Sequence, residues 1–256
     1  MWPAMLVEWL KLRRSRLVWV TAALLVVGVP AMASGFLSAA RFGSPGSPTV
    51  LKISTMVVGE GWAAYLGVLG QIMSVAMPLG AGIVTSWCFG REFIDRTVSS
   101  LFAMPTSRAT VAVAKCAVVT GWACGVGVAS VVVGCLLGPV AGIWTPDRLM
   151  FDAAGKVLLV SLGSAMLTLP LAFVASVARG YLPAIAVLIL IVVLTQIVTV
   201  IGVGRWFPYA AVSLWAGMGG EGAAAEIHLR HLALVPVTGL AGVAVTTWWW
   251  RRMQVV

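Results

Sequence analysis

The side chains able to do chemistry in this chain are few, and they are gathered. Two of the eight acidic residues and four of the seventeen basic ones lie between Gly90 and Lys115, in a polar stretch set between two long apolar runs. It reads Gly90-Arg-Glu-Phe-Ile-Asp-Arg-Thr-Val-Ser-Ser-Leu-Phe-Ala-Met-Pro-Thr-Ser-Arg108. The chemistry this supports is ion pairing and docking, not bond breaking. Glu92 and Arg96 are four apart with the acid first, the favourable order for a helical ion pair. Ile94, Val98 and Leu101 share one face, with Phe93 and Phe102 beside them, while Glu92, Asp95, Arg96 and Ser99 take the other. This pattern predicts a short amphipathic helix lying on a membrane surface. Pro105 stops it, because the residue before a proline is pushed away from helix. Thr106 or Ser107 then caps the next helix with its hydroxyl. Arg108 and Lys115 are expected to anchor the start of that helix at the headgroups.

Other chemistries lack their residues. No acid, lysine or arginine is expected inside the core of an apolar run, which argues against an ion-coupled transporter and against an intramembrane hydrolase. Cys88, Cys116, Cys124 and Cys135 have no CxxC spacing and read as small packing residues. His228 and His231 have only Glu226 close in sequence, too little for a metal site, and read as a loop pair. Gly217 to Gly222 matches GxGxxG by letter but follows no predicted strand, and GxxxxGK[ST] does not occur. Gln71, Ser74, Thr195 and Gln196 are the deepest polar residues of the apolar runs. Hydrogen bonding to neighbouring helices is the preferred reading for them, ahead of a translocation path.

The elements that must position the polar stretch are membrane helices. The chain of 256 residues is 61% hydrophobic and only 10% charged, where a soluble domain has about 25% charged residues. Its apolar runs of some 20 residues suit spanning helices. Six are expected, at about 17–37, 62–89, 109–137, 153–177, 184–203 and 232–250, with Pro30, Pro78 and Pro170 as static kinks. Small residues at four-residue spacing in the third (Gly121, Gly125; Ser130, Gly134, Gly138) allow close helix packing. Before the first span, residues 1–16 carry Trp2, Trp9 and several leucines among Glu8, Lys11, Arg13, Arg14 and Arg16, the make-up of an interfacial helix; the same cations also form a positive topogenic flank. That apolar run is too long for a cleavable signal core. Residues 204–231, rich in aromatics, suit an outer or half-inserted segment. Eleven cations lie at the two ends and in the loops after the second and fourth spans, against six in the other loops. The positive-inside rule therefore puts both termini and the Gly90–Lys115 stretch in the cytoplasm. The net charge of +9 is accounted for by topology and does not call for nucleic acid.

These residues resemble a known family. Glu8 and Lys11 with Arg13, Arg14 and Arg16 are similar to the N-terminal elbow of type 2 ABC transporter permeases. Arg91-Glu92-Phe93, Asp95, Thr97, Leu101, then Pro105, Ser107, Arg108 and Lys115 look like that family's signature between the second and third spans. The resemblance implies one all-α membrane domain over 1–256, with an elbow helix at 1–16, a cytoplasmic coupling segment at 90–108 and an extracellular or re-entrant segment at 204–231. It implies a permease that is not itself an enzyme. ATP and Mg would be bound by a separate ABC ATPase subunit, and a second permease chain, often a copy, would complete the pathway. Glu92, Asp95, Arg96 and Arg108 would make the polar contact with the ATPase, while Phe93, Leu101 and Phe102 fix the segment to the bundle. Thr97, Pro105 and Ser107 belong to the same signature. The size and basic elbow most resemble the branch that exports antibiotics, including lantibiotic-type peptides, across the bacterial cytoplasmic membrane.

Overall fold

Short polar side chains set where two of the long helices begin. Ser107 Oγ accepts from Thr110 N at 3.1 Å, and Asp147 Oδ1 accepts from Met150 N at 2.8 Å, each satisfying an amide of the first helical turn. The structure, a computed structural model, describes residues 1–44, 46–54, 56–98 and 106–253. Among them the secondary structure is helical, and six stretches are long and apolar enough to cross a membrane: Arg16–Phe42, Gly61–Ile94, Arg108–Ala141, Arg148–Val177, Tyr181–Val200 and Leu229–Arg252. The expected spans fall on these. The fifth begins and ends three residues earlier than expected, between an extended Gly180 and a left-handed Gly202. A separate helix, Trp2–Arg13, precedes the first span.

Two of the three prolines interrupt their helices, each in its own way. A proline lacks an N–H and crowds the carbonyl one turn earlier. The first span absorbs Pro30 by widening to a π-helical turn at Leu24–Gly28. The fourth breaks over residues 167–169, and Pro170 opens its second part, Pro170–Val177. Tyr209 closes that break by donating from its hydroxyl to Leu167 O at 2.8 Å. Pro78 lies within a continuous helix.

The second span is the hub. Of its most apolar stretch 67% is buried inside the chain, against 11% for the fifth span, whose apolar surface therefore faces outward. Tyr65, Leu66, Leu69, Met73, Met77 and Phe89 of the second span are fully buried. Tyr65 shares a hydrogen bond of 3.0 Å with Ser34, and Phe89 meets Trp250 edge-on. Trp250 Nε1 in turn donates to Ser176 Oγ at 2.8 Å, tying the sixth span to the fourth. Ser74 and Thr195 bond carbonyls of their own helices, and Gln71 bonds the carbonyl of Met56 before the second span, so the expected bonds to neighbouring helices are not the ones these three form. Within 204–231, the helix Pro208–Trp215 buries Val212 against Val160, Leu167 and Val235 of the fourth and sixth spans.

Candidate functional site

On the side of the bundle where both ends of the chain lie, three helices bring four charges together. Glu8 projects from Trp2–Arg13, on the same buried side as Leu12. Glu92 sits in the last turn of the second span, and Lys115 about two turns into the third. Lys115 Nζ donates to Glu8 Oε2 at 2.7 Å, to Glu92 Oε1 at 2.8 Å and to Cys88 O at 3.2 Å. Lys11 Nζ donates to Glu8 Oε1 and to Glu92 Oε1, each at 2.8 Å. Lys115, Glu92 and Glu8 are only 1%, 2% and 3% exposed. Two carboxylates and two ammoniums balance, which is the condition under which buried charges are tolerable. Glu92 Oε2 has no hydrogen-bond partner among the described residues. The cluster locks the N-terminal helix to the ends of two spans.

Beyond Glu92 the helix stops in a tight cap. Arg96 adopts a left-handed backbone with φ 54°. Its N–H bonds Phe93 O at 3.3 Å, and Thr97 N bonds Glu92 O at 3.0 Å, the two bonds of a Schellman motif. Arg91 lies over the Trp87 ring and 3.7 Å from Asp95. Asp95, Arg96 and Thr97 are exposed, and Phe93 is half-buried. Arg108 Nη1 donates to Met253 O, bringing the C-terminal end alongside. Gly90 packs so closely on the turn after the fourth span that a Cβ there would lie 2.3 Å from Tyr181 N.

The expected residues are thus only partly where the sequence put them. Glu92 and Arg96 do not pair: the helix ends between them, and Arg91–Asp95 is the pair that forms. Glu92 is not on an exposed polar face but inside the cluster. Lys115 is not a headgroup anchor, and charge does lie within the bundle, contrary to expectation. The reason is tertiary: the compensating partner, Glu8, is 107 positions away. One local signal was present, a lone lysine amid the apolar run Val111 to Val119. Ser107 is the residue that caps the third span. Ser99, Leu101, Phe102, Met104 and Pro105 lie outside the described residues; what is described of the predicted surface helix is the last turn of the second span, to Ile94, and the turn after it. Arg13 and Arg14 are exposed on the N-terminal helix end.

A family model described as ABC-2 family transporter protein matches residues 4–197. The chain belongs to that family. No curated protein matches it. The ABC-2 match runs from the N-terminal helix into the fifth span and takes in all four charges of the cluster. This ABC-2 family member is therefore a multi-pass membrane protein of the type 2 ABC permease kind. The residues near its two histidines have partners of their own: His231 Nδ1 accepts from His228 N at 3.1 Å, and Glu226 pairs with Arg205 at 3.2 Å.

Proposed function

We propose that this protein is the permease subunit of an ATP-driven exporter, moving a hydrophobic or amphiphilic compound such as a drug or peptide antibiotic outward across the bacterial cytoplasmic membrane. A separate ABC ATPase binds ATP and Mg and supplies the work. A second copy of the chain completes the pathway, using the outward-facing apolar surface of the fifth span. Both termini and residues 90–108 face the cytoplasm.

The observation that carries this reading is the buried cluster of Glu8, Lys11, Glu92 and Lys115, in a chain of the ABC-2 family. A push on the exposed turn at Asp95–Thr97 acts on the second span directly. Through the cluster it also reaches the N-terminal helix and the third span, so that the three move as one body. Trp2–Arg13 then acts as the elbow, and 90–108 as the coupling segment. Asp95, Arg96, Thr97 and Ser107 form its contact surface, and Glu92 works behind them as a strut. The ATP-bound ATPase dimer shifts the inward-open to outward-open equilibrium only as far as it binds one state more tightly than the other. The helix Pro208–Trp215, packed on the fourth, fifth and sixth spans, serves as the outer closure.

Co-purification of the tagged protein with its neighbouring ATPase, followed by measurement of drug-stimulated ATP hydrolysis, tests the reading. A stable complex whose stimulation disappears on charge reversal at Asp95 and Arg96 is the expected result. A chain that purifies alone from co-expressing cells, with no ATPase bound, overturns it.

A further inference from the structure

Beside the N-terminal helix the bundle is not filled. A groove of about 490 Å³ runs between that helix, the first span and the third span. Its floor is made by residues with little or no side chain, among them Ala22, Gly121 and Gly125; a Cβ added at either glycine meets nothing within 4 Å. Trp9, Trp19 and Trp122 wall it. Arg13 is its one charged lining residue among the described residues. Trp19 Nε1 donates to Arg13 O at 2.7 Å, fixing the indole across the helix end at the mouth. A flat lipid-facing surface has no such recess, and no side chain among the described residues fills it.

The charge at the mouth says what does. Arg13, Arg14 and Arg16 are exposed, and among the described residues no carboxylate lies within ion-pair distance of them. The one acid of that helix, Glu8, is turned inward and held by Lys11 and Lys115. The outer surface of the helix end is therefore cationic, at the depth where tryptophans favour the headgroup boundary. We propose that the groove binds an anionic phospholipid of the leaflet on the side of the termini, one acyl chain lying over Gly121 and Gly125 and the phosphate on the guanidiniums of Arg13, Arg14 and Arg16. The bound lipid wedges the N-terminal helix against the first and third spans.

The test uses the full-length protein in phosphatidylcholine nanodiscs with a trace of phosphatidylglycerol carrying a photoreactive group in one acyl chain. Adducts are mapped by peptide mass spectrometry. Adducts should concentrate on the segments 18–27 and 121–129, and unlabelled phosphatidylglycerol should compete roughly tenfold or more better than phosphatidylcholine, since basic residues near an anionic headgroup each favour it. G121L/G125L fills the groove and should remove these adducts while those on the exposed face of the sixth span, at Val237 and Leu240, persist. R13Q/R14Q/R16Q, confined to the surface, should abolish the headgroup preference, and it decides the matter by itself should the leucine variant not fold. Adducts spread evenly over all exposed spans, or a headgroup preference unchanged in the arginine variant, overturn the proposal. So does loss of a dimer on native mass spectrometry in G121L/G125L, which would make a second copy the occupant.

Discussion

Lys115 Nζ lies 2.7 Å from Glu8 Oε2, with both side chains almost wholly buried, across 107 positions of sequence. Removing one partner of a buried ion pair strands the other charge and typically costs about 3–5 kcal/mol. Lys115→Met should therefore destabilise the protein by about that much, read as a large fall in thermal midpoint in detergent. Adding Glu92→Gln restores charge balance, leaving Glu8 with Lys11. The double variant should then be more stable than the sum of the two single losses by about 2 kcal/mol, within the range seen for contacting residues. Costs that simply add would show that the four charges do not act as a unit.

Lys11 makes the same kind of contacts but is about a third exposed, so water can stand in for it. Lys11→Met should cost about 1 kcal/mol or less, as partly exposed pairs do. It should also lose what effect it has in high salt, where the effect of Lys115→Met persists. Equal losses for the two lysines would contradict the burial difference between them.

The contrast explains what could be read from the sequence. The spans were legible because a membrane helix needs an apolar run of fixed length with its charges at the ends, and each expected run falls on a helical span, the fourth broken just before Pro170. The polar stretch from Gly90 was legible as a place but not as a shape. Glu92 belongs to the second span because Lys115 and Lys11 satisfy it there, and no local rule announces partners from two other helices. The turn at Arg96 was hidden for a different reason: a left-handed cap is usually marked by glycine, and here arginine holds it. Lys115 among Ala114 and Cys116 was the visible anomaly, since an ionisable residue within a span needs a partner.

Glycine roles within the second span should separate cleanly. A Cβ at Gly90 would lie 2.3 Å from Tyr181 N and 2.6 Å from Gly180 C, both backbone atoms that cannot step aside. Gly90→Ala should thus cost about 1–3 kcal/mol or more from overpacking. Gly67 has nothing within 4 Å of the same added atom. Gly67→Ala should be neutral or should stabilise by about 0.5–1 kcal/mol, because alanine loses less freedom in a helix. Thermal unfolding of the two variants side by side checks the packing of the second span on the turn at Gly180–Tyr181.

Tyr209 supplies a pH-dependent contact at the break in the fourth span. Its hydroxyl donates to Leu167 O, a carbonyl left open where the fourth span breaks before Pro170. Burial pushes its phenol from the ordinary 10.0 up to about 12. Folding therefore favours the protonated form, and the contribution is complete below pH 10 and declines as pH rises from 10 to about 12. Tyr209→Phe should cost about 1 kcal/mol at neutral pH. The gap between the two proteins should stay constant up to pH 10 and narrow above it in a series of unfolding curves.

Arg96 separates a docking role from a structural one. Its left-handed backbone costs about 1 kcal/mol or more for a residue with a Cβ, and glycine removes that cost. Arg96→Gly should therefore keep or raise the thermal midpoint, since both backbone bonds of the cap survive. If the exposed guanidinium meets the ATPase, the same variant should lose substrate-stimulated hydrolysis despite its stability. Arg96→Lys, which keeps the charge and the strain, should retain most of it. A stabilised Arg96→Gly protein with full stimulation would assign Arg96 to the cap alone and leave the contact to Asp95 and its neighbours.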